Sequence, residues 1–166
     1  VHRNALGSEM MALSTQLYRQ RTARPAGGPI VIGYGSGTAT HDVDFDQAVP
    51  ALIDVMTDFP AVELWIAGPL LLSPALSGFG ERIRRFPLLA WRRWFELLAQ
   101  VDINLAPLEP GNVFCRAKSE IKFVEAAALG VPTVASAIDP FVQAMTDGVD
   151  GFLAGDAPGW IAALRR

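Results

Sequence analysis

The sequence holds a single cysteine, Cys115, in 166 residues. A disulfide framework is therefore excluded, and a reducing cytoplasmic setting is the compatible expectation. Positive charge is also scarce. Lys and Arg number 14 against 17 Asp and Glu, giving a net charge of −3 and an isoelectric point near 5.3. General nucleic-acid binding needs a basic footprint, so the balance argues against that class and leaves room only for a local basic pocket. No apolar run approaches the roughly 20 residues of a membrane span. Repeats, low-complexity tracts, a signal peptide and an initiator Met are lacking as well. The chain opens on VHRNALGSEM and stops at WIAALRR, within a helical pattern. We read it as a piece of a longer polypeptide, truncated in its last helix.

Hydrophobic residues make up 51% of the chain and charged residues 19%, the profile of a globular domain with a proper core. Residues 1–28 read as a hinge segment, a helix over 5–20 and a Pro/Gly-rich linker. Residues 29–166 alternate apolar strands with helical segments. IVIGY, VELWIAG, VDINLAPL and PTVAS are expected strands, with a short one at 82–86 and an extended stretch at VDGFLAG. Helices are expected at DQAVPALIDVMTDFP, AWRRWFELLAQ, PFVQAMTDG and APGWIAALRR. Strands that are apolar throughout, separated by helices, predict a Rossmann-like α/β fold: a parallel sheet flanked by helices on both faces.

One stretch breaks local rules. AKSEIKFVEAAALGVPTVAS, residues 117–136, predicts a helix that becomes Ala-rich and stops at Gly130. Lys118 and Lys122 then sit four apart near its N-terminus, where they repel each other and oppose the helix dipole. Such a conflict is either compensated or serves a site.

In an open parallel sheet, ligands bind beyond the carboxyl ends of the strands. Two features converge there. GYGSGTATH follows the first strand; Gly35 and Gly37 permit close backbone approach, and Ser36 and Thr38 add hydroxyls, so the loop can cradle a phosphate. Equally, it can be a glycine turn with Ser or Thr capping the next helix. The second feature is the N-terminus of the lysine-bearing helix, which offers free N–H groups to an anion. Lys118 and Lys122, with Arg116, would meet a diphosphate, and Glu125 further along the same stripe could accept hydrogen bonds from a ribose diol. The alternative is an i,i+3 pair between Lys122 and Glu125 with Lys118 solvated.

KFVEAAALGVPTVAS resembles the donor-binding helix–turn–strand of the group-1 family of glycosyltransferases: Glu125 in an alanine-rich helix, then Gly130–Pro132, then TVAS. DGVDGFLAG at 147–155 resembles the family's downstream segment. The glycine-rich loop and LWIAGP match in place, and VHRNAL is similar to its interdomain hinge. The resemblance implies one half of a two-domain GT-B architecture: the C-terminal domain that binds a nucleotide diphosphate sugar. It implies transfer of the sugar to an acceptor with retention of configuration, with an N-terminal acceptor-binding domain on the same polypeptide. No metal and no cofactor beyond the donor substrate is implied. Glu125 would bind the ribose, and Lys122 would lie near the diphosphate. Catalytic residues are left unassigned.

Two positions depart from the family pattern. Ala117 stands eight positions before Glu125, where the family often has a second Glu. The first loop carries Ser and Thr in place of Arg and Lys, with His41, Asp42 and Asp44 following. The departures keep a second reading open, a non-catalytic Rossmann-like binding module that has lost the donor site. A nicotinamide-dependent dehydrogenase is disfavoured, because the strongest motif lies far from the first glycine loop. His41 reads as a capping or surface residue, and Asp42 and Asp44 beside it have no diagnostic metal-ligand spacing. Trp91, Trp94 and Phe95 read as a core-facing helix stripe, and Arg82, Arg84, Arg85, Arg92 and Arg93 as a solvated basic face.

Overall fold

A computed structural model describes residues 4–23, 27–37 and 42–166. Thr38 and His41 of the sequence reading lie outside the described residues. The elements run α1 (Ser8–Thr22), β1 (Ile30–Gly35), α2 (Asp42–Asp46), α3 (Val49–Asp58), β2 (Val62–Ala67), a 3-10 segment (Pro74–Arg82), β3 (Ile83–Phe86) and α4 (Trp91–Leu98). They continue with β4 (Ile103–Ala106), α5 (Val113–Arg116), α6 (Ile121–Ala128), β5 (Thr133–Ser136), α7 (Asp139–Val142), β6 (Gly151–Ala154) and α8 (Ala157–Leu164).

The six strands among the described residues pair in parallel, in the order β3-β2-β1-β4-β5-β6, as the alternating pattern predicts. Ile32 opposes Leu64 on one side and Ile103 on the other, so β1 is the centre of the sheet. Alternation along β1 divides the core. Ile32 and Tyr34 join Leu52, Leu64, Ile66 and Trp160 beneath α3 and α8. Val31 joins Phe95, Leu98, Ala126 and Leu129 beneath α4 and α6, with Leu17 of α1. A smaller cluster of Ala106, Leu108, Cys115, Ile138 and Phe141 lies past the ends of β4 and β5.

Local signals account for most boundaries. Pro50 stands in the first turn of α3, where its missing N–H costs nothing. The Asp156 carboxylate accepts from Gly159 N–H and caps α8. Gly130, at φ +66°, ends the turn after α6.

The lysine-bearing segment differs from the expectation of one helix. Asn112 caps α5, its side-chain oxygen accepting from Phe114 N–H. The chain then turns through Lys118, whose N–H donates to Cys115 O, and restarts as α6 at Ile121. Lys118 is therefore in the turn and only Lys122 is on α6. The expected helix at 140–148 is likewise cut to the single turn of α7, since Asp150 accepts from Thr146 N–H and Asp147 from Leu153 N–H. Carboxylates that bond nearby backbone compete with helix.

Candidate functional site

β1 leads on to β2 on one side, and β4 leads on to β5 on the other. Where these connections diverge, the carboxyl ends of β1 and β4 leave a crevice. A cleft of about 620 Å³ occupies this place. Its floor and walls come from Gly35–Gly37 at the end of β1, Leu88, Leu89 and Trp94 around α4, and Phe114, Lys118, Ser119, Ile121, Lys122 and Glu125 of α5, α6 and the turn between them. Of the residues singled out by sequence, Gly35, Ser36, Gly37, Lys118, Lys122 and Glu125 meet here. Arg116 is exposed at the end of α5 and is not among the lining residues.

The loop is held by its own polar groups. Ser36 is buried; its N–H donates to Ala67 O at 2.7 Å and its hydroxyl donates to Pro69 O. Ser36 thus ties β1 to the turn after β2, and its O–H is engaged within the protein. Gly68 makes that turn possible. It sits at φ +92°, and a Cβ there would lie 1.9 Å from Ser36 O.

The two lysines differ sharply. Lys118 Nζ lies 2.6 Å from Asp44 Oδ2, and the pair is largely removed from solvent. Asp44 also accepts from Glu109 N–H and from the Cys115 thiol. The compensation sought in the sequence is therefore Asp44 of α2, to which the sequence reading gave no such role. Burial and this contact hold the Cys115 thiol above its ordinary range.

Lys122 has no such carboxylate. Its Nζ is buried, lies 4.2 Å from the centre of the Tyr34 ring, and has no hydrogen-bond partner among the described residues. Burial lowers its proton affinity to a pKa of about 8; Lys118 adds to the lowering, while Asp44 and Glu125 oppose it. The cation–π contact offsets part of the cost of burial. Tyr34 Oη is also unpartnered among the described residues, and burial, with Asp44 and Asp42 nearby, keeps the phenol protonated.

Glu125 lies one turn beyond Lys122 on α6. It accepts a hydrogen bond from Trp94 Nε1 at 2.9 Å. Burial raises the carboxyl pKa, against the lowering effects of the Trp94 bond and Lys122. Trp94 reads in the sequence as part of a core stripe, and nothing local to α4 announces its role. Among the described residues, no group of three or more His, Cys, Asp or Glu is placed to hold a metal ion, and no helix is long and apolar enough to cross a membrane. Among the described residues, the arrangement is a crevice with one buried ammonium that lacks a hydrogen-bond partner, one paired ammonium and one carboxylate, walled by apolar side chains. That is the donor set for a polar anion carrying an apolar or aromatic group.

The model of the family described as "Glycosyl transferases group 1" matches residues 37–166. The chain belongs to this family. No protein of curated function matches the sequence. Among solved structures, the group-1 fold recurs at low identity. Alr3699/HepE of Anabaena, crystallised with UDP and glucose, is 20% identical at a TM-score of 0.63, over 95% of this chain and 42% of that one. WaaG, a glycosyltransferase involved in lipopolysaccharide biosynthesis, is 17% identical at a TM-score of 0.64, over 92% and 41%. The C-terminal domain of the group-1 protein LpcC from Francisella tularensis is 15% identical at a TM-score of 0.61, over 90% and 79%. These likenesses are of fold: the Rossmann-like sheet is that of one half of the GT-B architecture. The chain spans less than half the length of the first two proteins.

Proposed function

We propose that this chain is the donor-binding domain of a group-1 glycosyltransferase, which moves a sugar from a nucleotide diphosphate sugar to an acceptor with retention of configuration. The observation that carries this reading is Lys122: a residue lining the cleft at the switch point of the sheet, whose buried ammonium has no hydrogen-bond partner among the described residues. An unpaired buried cation is costly unless a ligand supplies the counter-charge. The complexes of Alr3699/HepE with UDP and glucose, and of the pneumococcal O-GlcNAc transferase GtfA with UDP and GlcNAc, support the choice of ligand class.

In this reading the diphosphate lies between the loop at Gly35–Gly37 and the start of α6. Lys122 takes the negative charge that grows on the leaving diphosphate as its bond to the sugar breaks, with α6 backbone N–H groups adding to it. Lys118 lines the same cleft and reaches the diphosphate without abandoning Asp44. Glu125 accepts from the ribose hydroxyls and fixes the nucleotide relative to the leaving oxygen. An N-terminal domain of the same polypeptide supplies the acceptor contacts, in a cytoplasmic enzyme.

Calorimetric titration of the full-length protein with UDP, GDP and ADP tests this. One nucleotide binds, and Lys122→Ala and Glu125→Ala each weaken it about 10- to 100-fold, the loss expected for a hydrogen bond to a charged group. The second reading, a module without a donor site, is favoured by Ala117 and by the engagement of Lys118 with Asp44. It predicts that none of the three binds.

A further inference from the structure

Lys122 and Glu125 stand three residues apart on α6, a spacing that favours an ion pair. They do not make one: Lys122 Nζ is without a hydrogen-bond partner among the described residues, and the carboxylate is instead bonded to the Trp94 indole 31 residues away in sequence. The tether depends on a close approach from a third element. The outer ring of Trp94 lies against Gly35, where a Cβ would stand 2.8 Å from two of its ring carbons. Phe95, fully buried beside it, anchors α4 in the core. The other charges on the cleft lining are Lys118 and Lys122, both positive, and Lys118 already has Asp44. Lys122 is thus the charged group into which a loose Glu125 would collapse.

We propose that Trp94 is a positioning residue that draws the Glu125 carboxylate away from Lys122, so that the two groups stay available to opposite parts of one ligand. A direct Lys122–Glu125 pair would satisfy both ends internally and leave the cleft without an unpaired cation. The indole N–H takes one of the carboxylate's acceptor sites, and the remainder stay open to hydroxyl groups. The service to a diphosphate and a diol rests on the donor-site reading, whereas the separation of the two side chains does not.

The test therefore has two arms on the full-length protein. In the first, without ligand, lysine-labelled NMR follows the titration of Lys122 in wild type, Trp94→Phe and Trp94→Phe/Glu125→Gln. Removing the N–H while keeping an aromatic ring lets Glu125 swing to Lys122. The Lys122 midpoint then rises by about one unit or more, the effect of an adjacent opposite charge. The double variant returns it to the wild-type value or below. An unchanged midpoint in Trp94→Phe, or a rise that survives Glu125→Gln, overturns the proposal. A purely structural role for Trp94 predicts no rescue by the second substitution. In the second arm, inorganic diphosphate is titrated calorimetrically. It binds about tenfold more weakly to Trp94→Phe and regains its affinity in the double variant. If wild type binds no diphosphate while the first arm behaves as expected, the donor-site reading falls and the separating role of Trp94 stands.

Discussion

Lys118 Nζ and Asp44 Oδ2 lie 2.6 Å apart, joining residues 74 positions distant, with their side chains 19% and 4% exposed. The pair pins the turn before α6 to α2. Breaking a buried pair by removing one member strands the other charge. Asp44→Asn and Lys118→Met should each lower the unfolding free energy by about 3 kcal/mol, whereas the double variant should recover at least about 1 kcal/mol of their sum. Urea unfolding of the four proteins measures this. Strict additivity would show that the pair does not hold the turn.

The buried ammonium of Lys122 makes stability depend on pH in a defined direction. Its pKa is lowered from 10.5 to about 8 in the folded chain. Below pH 8 both states carry the proton and the folded state bears the full cost, up to about 3 kcal/mol. Between about pH 8 and 10.5 the folded state loses the proton first, so wild-type stability rises relative to a variant without the group. Lys122→Met should therefore be the more stable protein at pH 7, with the gap closing by about pH 10. Denaturant midpoints at the two pH values decide it; an equal gap at both would mean that Lys122 is not buried as an ammonium.

The sheet was legible because its signals are local. Apolar runs such as IVIGY, turn residues between them and alternation with helices together imply parallel strands, and the switch-point rule then points to the place where the cleft lined by Gly35–Gly37 and Lys122 is found. What could not be read was contact between distant segments. Nothing near Asp44 shows that it meets Lys118, and nothing in WRRWFELL shows that Trp94, alone of its aromatics, turns its N–H to Glu125. The apparent clash between Lys118 and Lys122 came from assuming one helix. Asn112 starts α5 early and the chain turns before Ile121, so the lysines do not share one helix face, although Lys118 still disfavours the charge on Lys122. The basic face divides in the same way: Arg84 pairs with Glu63 and Arg93 with Glu96, while Arg82 and Arg85 donate to backbone carbonyls.

The loop at Gly35–Gly37, which lines the cleft, is shaped from beneath by Gly68. At φ +92° this residue is in a region that side chains rarely adopt, and an added Cβ would strike the Ser36 carbonyl at 1.9 Å. Gly68 N–H also donates to Phe86 O, so the turn cannot drift without loosening β3 from β2. Gly68→Ala should lower the unfolding free energy by at least about 2 kcal/mol, from strain and displaced backbone together. Gly37 is the control. Among the described residues nothing lies within 4 Å of a Cβ built there, and its φ is not positive. Gly37→Ala should stay within about 0.5 kcal/mol of wild type. Thermal and urea unfolding of both variants separate the cases. A Gly68→Ala protein as stable as wild type would show that the Ser36 carbonyl can yield, and that the loop is not set by the turn beneath it.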